Sequence, residues 1–241
     1  MIYPEWPVPD TVKACFTTRL DGCSQAPYDS FNLGMHVGDE AERVVQNRAL
    51  LFRHLGLPAE PEWINQTHST RVVRLEEDSN RNADAAITGR AGMVAVVMVA
   101  DCLPILVSDR SGREVAAIHA GWRGLQGGVI ENCIGAMQSP VESLVSWIGP
   151  AISKKHFEVG DEVREAFIES ACCPHIETFF SAHGVGHWMC DLPAIAEQVL
   201  KRLGVTNIVR DPRCTYAKKE SFYSYRRDGI TGRQAALIWI D

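Results

Sequence analysis

Residues 96–109 read VVMVADCLPILVSD: two apolar runs meet at a carboxylate and a thiol. Met93–Val99 and Leu103–Val107 are continuous and rich in valine, without the polar alternation of a strand that faces water on one side. Both therefore read as buried strands, and with three residues between them they read as a hairpin-like pair. A chain with such runs must build a sheet and cover it. The open question is why Asp101 and Cys102 stand where burial would favour another valine.

The remaining pattern surrounds those strands with mixed elements. Val12–Thr18, Glu62–Asn65, Arg71–Leu75, Glu114–His119, Leu144–Ile148, Tyr223–Tyr225 and Gln234–Ile240 read as strands. Glu40–Leu55 places Val44, Val45, Leu51 and Leu55 at helical spacing and stops at Gly56 and Pro58. Gly124–Met137, Asp161–Ser170 and Leu192–Leu203 read as further helices. Residues 21–39 are rich in Gly, Ser, Pro, Asn and Asp and read as loop. Strand pairs stand beside helical connections, which predicts an α+β (mixed α/β) fold around a large central sheet. No repeat, low-complexity tract or long linker divides the 241 residues, so one domain over 1–241 is expected.

Composition excludes several classes. The net charge of −6 and the lack of a basic run speak against nucleic acid and membrane surfaces as partners. The longest apolar stretch, Met93–Ala100, is too short to span a bilayer. The N-terminus shows no basic segment followed by an apolar one, so a cytoplasmic location is expected. In that compartment the eight cysteines stay reduced, and most serve as small buried hydrophobes. No C-x-x-C pair is present.

Three segments combine a metal-competent side chain with a strand end and small residues: N-Q-T-H-S with His68, A-D-C-L-P with Cys102, and A-I-H-A-G-W-R-G with His119. Cysteine and histidine are the preferred zinc ligands, and three of them leave a fourth position for chemistry. Each residue also has a plainer reading. Cys102 could be a buried thiol, and each histidine a hydrogen-bonded structural one. Cys102 with His119 as its base could also act as a metal-free acyl-transfer pair, which leaves His68 without a role. A zinc-stabilised binding module without turnover would need a fourth ligand, and none is found. His183-Gly-Val-Gly-His187 has the spacing of a helical metal pair. Its glycines argue against a helix, no Glu follows the first His, and the sequence assigns it no role. Cys172-Cys173 reads as a buried pair, and Ser146 and Ser224 lack a nucleophile-elbow setting.

Taken together, T-H-S at 67–69, A-D-C-L-P at 100–104 and H-A-G-W-R-G at 119–124 resemble the signature of the YfiH family. That family is variously called laccase-domain proteins, polyphenol oxidases, purine nucleoside phosphorylases and peptidoglycan editing factors. T-T-R at 17–19, F-N-L-G at 31–34, G-P-A-I at 149–152, F-E-V-G at 157–160, C-T-Y at 214–216 and F-Y-S-Y-R-R-D at 222–228 extend the resemblance along the chain. It implies a single domain with a mixed β-sandwich core and flanking helices, and a zinc site of His68, Cys102 and His119. It also implies a pocket near Arg19, Asn32, His36, Gln66, Asp101, Arg123 and Arg226. Asp101 alternates in direction with Cys102 along the strand, so it is expected to brace the site or accept from a backbone amide, without touching the metal.

The family has been linked to several reactions. One is phosphorolysis of adenosine, inosine or methylthioadenosine to base and ribose 1-phosphate. Others are deamination of adenosine, and release of L-serine from a UDP-muramoyl peptide precursor. Phosphorolysis needs an anion cradle, for which Arg19, Arg123 and Arg226 are the candidates. Copper on the same ligands would support phenol oxidation as a side activity, since copper binds such donors more tightly than zinc. A multicopper centre needs paired histidines, and no H-x-H pair occurs among the eight. The sequence leaves open the substrate and the oligomeric state.

Overall fold

A computed structural model describes residues 1–241. Its backbone is layered. A four-stranded sheet orders Val12–Phe16, Gln234–Ile240, Ala95–Val99 and Glu62–Trp63. A six-stranded sheet orders Asn207–Arg210, Leu144–Ile148, Leu103–Asp109, Val115–Ala120, Ala85–Thr88 and Val72–Arg74. The two pack face to face. Val97, Val99, Ala236 and Ile238 of the first meet Leu106, Val115, Ala117 and Trp147 of the second. The alternate residues point the other way. Val96, Met98 and Leu237 pack with Leu51 of the Ala41–Leu55 helix. Ile105, Val107 and Ile118 pack with Ile130, Ile195 and Val199 of the helices Val129–Ala136 and Leu192–Arg202. Each central strand is thus buried on both faces, which is what its unbroken apolar sequence requires.

A third sheet of Phe180–Gly184, His187–Cys190 and Glu158–Gly160 flanks the helical layer beside the Asp161–Ser170 helix. The fold class is mixed α/β, as the sequence predicts. No helix is long and apolar enough to cross a membrane.

Two expectations fail. The runs 93–99 and 103–107 do not form a hairpin. The first joins the four-stranded sheet and the second the six-stranded one, so Ala100–Cys102 is a crossing between layers. Tyr223–Tyr225 is not a strand. Phe222–Ser224 is irregular and buried, and Tyr225–Asp228 forms a helical turn capped by Ser224 Oγ. The helix expected over 124–137 spans Trp122–Gly127 and Val129–Ala136, broken at Gly128, whose φ of 97° ends one segment and starts the next.

The crossing needs support, because it carries polar groups between two apolar layers. Asp101 adopts φ 93°, which turns the chain out of one sheet toward the other. Its carboxylate accepts from Thr215 Oγ1 at 2.6 Å, Ser224 Oγ at 2.9 Å and the Arg226 amide at 2.8 Å. Its own carbonyl accepts from the Ile152 amide at 2.9 Å. Asp101→Ala would orphan two buried hydroxyls and an amide and place a methyl side chain at a left-handed position. We expect a loss of about 3 kcal/mol of stability, read as a lower denaturant midpoint at unchanged m-value. Asp101→Asn, which keeps the shape and one acceptor, should cost less.

Candidate metal centre

The functional side chains converge at one end of the six-stranded sheet. Asp84 enters the Ala85–Thr88 strand, Cys102 enters Leu103–Asp109, and His119 leaves Val115–Ala120. Antiparallel pairing brings these ends together: Ala85 lies opposite Ile118, and Leu103 opposite Ala120. His68 comes from the loop between the strands Glu62–Trp63 and Val72–Arg74, with φ 58°. That loop is held by a buried carboxylate. Asp84 accepts from the backbone amides of Thr67, His68 and Ser69 at 3.2, 3.0 and 2.6 Å, and from Ser69 Oγ at 2.7 Å. The same carboxylate meets His119 Nδ1 at 2.8 Å. Burial opposes its ionisation, but the hydrogen bonds from His119 and Ser69 outweigh that and hold Asp84 down to about 2.

His119 therefore donates Nδ1–H to Asp84 and keeps Nε2 for the cleft, the arrangement in which a carboxylate fixes the tautomer of a metal-binding imidazole. The ligand atoms of His68, Cys102 and His119 lie within 4.8 Å of one another. Cys102 Sγ is 3.9 Å from His68 Nε2. Zinc–ligand bonds of ordinary length at a tetrahedral angle would set sulfur and nitrogen about 3.6 Å apart, so the donors sit close to ligating positions. Burial would raise the Cys102 thiol, but the His119 charge and hydrogen bonds from both histidines bring it below its usual range. His119 is pushed up against its burial by Cys102 and Asp84. The contacts that favour a thiolate at Cys102 and a proton on His119 favour positive charge between them, which a metal cation can supply in place of the proton. Gly121 gives the cluster its room. A Cβ there would lie 2.7 Å from His68 Cδ2 and 3.0 Å from Cys102 Sγ.

The three ligands open onto a cleft of about 430 Å³, shared with His36, Gln66, Met98, Val99, Ala100, Tyr225 and Arg233. Of the residues expected near the pocket, His36 and Gln66 line it. Both Gln66 amide atoms are bound to the Met98 backbone at 2.7 Å, which fixes that wall. Asp101 braces the crossing behind Cys102. Asn32 is buried and holds the Arg233 amide at 2.8 Å. The three arginines do not line the cleft. Arg19 is bound to Asp29 and the Lys219 carbonyl, Arg226 Nη1 to the Glu158 carbonyl, and Arg123 lies over the Trp122 ring. The cationic side chain in the cleft is Arg233, which sequence reasoning missed. Its Nη1 donates to the Thr231 and Gly232 carbonyls at 3.0 Å. No carboxylate pairs with it, and burial lowers its pKa. The G-I-T-G-R run just beyond the last matched block was the available signal. Asp84 was also missed, and nothing local marks it, since its partners lie on other segments.

The family profile described as "Multi-copper polyphenol oxidoreductase laccase" matches residues 13–241. The chain belongs to this family. It is 45% identical to a protein of Escherichia coli K12 named "Purine nucleoside phosphorylase YfiH", covering all of this chain and 98% of the relative. It is 46% identical to a Haemophilus influenzae protein named "Purine nucleoside phosphorylase", again covering all of this chain and 99% of the relative. Among solved structures, a Neisseria meningitidis protein superposes with a TM-score of 0.95 at 45% identity, covering all of this chain and 98% of the other. YlmD from Geobacillus stearothermophilus gives 0.88 at 30%, covering 96% and 92%.

Two substitutions test the metal reading. Gly121→Ala should lower zinc affinity at least tenfold while the protein still melts cooperatively, because the methyl group displaces His68 or Cys102. Asp84→Asn, which weakens the hold on His119, should cost about 10–100-fold. Competition against a chromophoric chelator reads both.

Proposed function

We propose that the chain is a zinc-dependent purine nucleoside phosphorylase. The observation that carries this reading is the pairing, in one cleft, of a three-ligand Cys–His–His centre with an arginine that has no carboxylate partner. A desolvated cation of this kind calls for an anion, and inorganic phosphate is the co-substrate phosphorolysis needs. The names carried by the relatives support the same substrate class.

His68, Cys102 and His119 would hold the ion, and the mixture of one thiolate with two imidazoles suits zinc. Zinc held there would supply Lewis-acid chemistry toward an oxygen of the bound substrate or phosphate. The chain's own residues do the rest. Arg233 binds phosphate through its free guanidinium edge and orients it toward C1′ of the nucleoside. Met98, Val99 and Tyr225 offer an apolar and aromatic wall for the purine ring. Gln66, with both amide atoms committed to Met98, holds that wall and leaves recognition to others. Partial burial and the nearby Arg233 and Arg48 charges lower the pKa of His36, so its neutral imidazole is available to the ribose hydroxyls. Asp84 keeps His119 in one tautomer throughout. The bond from C1′ to the base breaks as the bond from C1′ to phosphate oxygen forms, and the proton given up by hydrogen phosphate ends on the leaving nitrogen, giving free purine and ribose 1-phosphate.

Copper on the same donors would give phenol oxidation as a side reaction, in keeping with the family's description. The test is a product assay on zinc-loaded protein with adenosine, with and without phosphate. Adenine and ribose 1-phosphate should appear only with phosphate, fall more than a hundredfold in Cys102→Ala, and vanish on chelation. Arg233→Ala should raise the KM for phosphate at least tenfold, with a smaller effect on kcat. Inosine formed without phosphate would make the enzyme a deaminase. Free serine from UDP-muramoyl-L-serine, with adenosine untouched, would make it an amidase of cell-wall precursors. Activity that survives chelation would return Cys102 and His119 to a metal-free role.

A further inference from the structure

The three-stranded sheet carries a second group of ligand-type side chains, apart from the cleft. His183 and His187, which the sequence leaves without a role, lie in the hairpin of Phe180–Gly184 and His187–Cys190. Gly184 and Gly186, with φ of 141° and 73°, allow the tight turn between them. The ladder runs Ala182 opposite Trp188 and then Gly184 opposite His187, so His183 is the extra residue of a β-bulge. Bulges of this kind re-aim a side chain.

The third strand brings a carboxylate to both imidazoles. Glu158 pairs with Met189, two residues from His187, so its side chain shares a face with His187. Glu158 Oε1 is 2.9 Å from His187 Nδ1, and Oε2 is 3.5 Å from His183 Nε2. The Glu158 side chain has no other partner. Gly160 stands opposite His187, and its missing side chain leaves room for another group. That room is taken by Glu162. A Cβ on Gly160 would meet the Glu162 carboxylate, 2.9 Å from Oε1 and closer still to Oε2. The Glu162 carboxylate makes no hydrogen bond or ion pair of its own. Asp161, in contrast, is committed to Trp188 Nε1 at 2.7 Å.

We infer that this face is a second metal site. His183, His187 and Glu158 supply two nitrogens and a carboxylate, and Glu162 stands by as a further oxygen donor. The mixture of imidazole and carboxylate suits a borderline divalent ion such as zinc, cobalt, nickel or copper rather than calcium or magnesium. Glu158 reaches the two imidazoles through different oxygens, so the exposed side chains must rotate to bring their donors around one ion. The half-exposed imidazoles and Glu158 carboxylate leave the ion open to exchange, so this site should bind more weakly than the Cys102 centre.

Zinc titration with stoichiometry read by calorimetry and by metal analysis tests the inference, with cobalt as a spectroscopic probe. Wild-type protein should take up two equivalents of zinc, Cys102→Ala one, and Cys102→Ala/His183→Ala/His187→Ala none. Cobalt bound to Cys102→Ala should lack thiolate-to-metal charge transfer, because the second site has no sulfur. Glu158→Gln should weaken the second equivalent at least tenfold and leave phosphorolysis unchanged. If His183→Ala/His187→Ala binds as many equivalents as wild type, the site does not exist. If Cys102→Ala binds none while wild type binds one, the inference fails and the Cys102 centre stands.

Discussion

The candidate centre depends on one buried carboxylate. Asp84 receives three successive backbone amides from the His68 loop and the imidazole of His119, so one side chain fixes both histidines. A buried charge is tolerated only when its hydrogen-bonding capacity is filled, and here it is filled by the segments that must be positioned. Asp84 also sets the tautomer, by taking Nδ1–H and leaving Nε2 free. The third ligand is fixed by different means. Cys102 is held by the crossing between sheets, where Asp101 ties Thr215, Ser224 and Arg226 to the same turn. Two aspartates, neither facing the cleft, thus set the three residues that do.

The layered fold explains why such a site can be held firmly. Every strand that contributes to it is packed on both faces, so its end cannot shift without disturbing a close-packed layer. Left-handed backbone at His68 and Asp101 adds to this. Such conformations persist where the surroundings over-determine them, and both occur beside the cluster. The cleft is thus rigid on its metal side. The opposite wall, with His36, Tyr225 and Arg233, comes from loops and one helical turn.

Much of this could be read from the sequence, and the failures have physical causes. Unbroken apolar runs marked buried strands but could not say which sheet each would join. A three-residue link suits a hairpin, and only the backbone turn at Asp101 shows that the chain changes layer. The short runs at 85–88, 158–160, 180–184, 187–190 and 207–210 escaped notice because they are brief and interrupted by small or charged residues. Residue type and setting nominated His68, Cys102 and His119, the family resemblance made them one set, and the fold gathers them. The resemblance placed Arg19, Arg123 and Arg226 near the pocket and did not include Arg233. Arginine is legible as a cation, but whether a neighbouring carboxylate or carbonyl has claimed it is a tertiary fact. Asp84 shows the same limit, since its partners are backbone amides some fifteen residues away.

The passage of the chain from one sheet to the other at Ala100–Cys102 bears on the order of assembly. Cys102 reaches its position only when both sheets exist and have docked, since the turn that holds it draws its partners from residues more than a hundred positions downstream. His68 and His119 likewise wait on Asp84. Contacts of such long sequence separation form late, after their loop-closure entropy has been offset by other burial. An ion therefore cannot nucleate this fold as it does in a zinc finger, where ligands close in sequence gather before a core exists. An ion held there would enter a finished molecule, and its uptake would report that the last layer has closed.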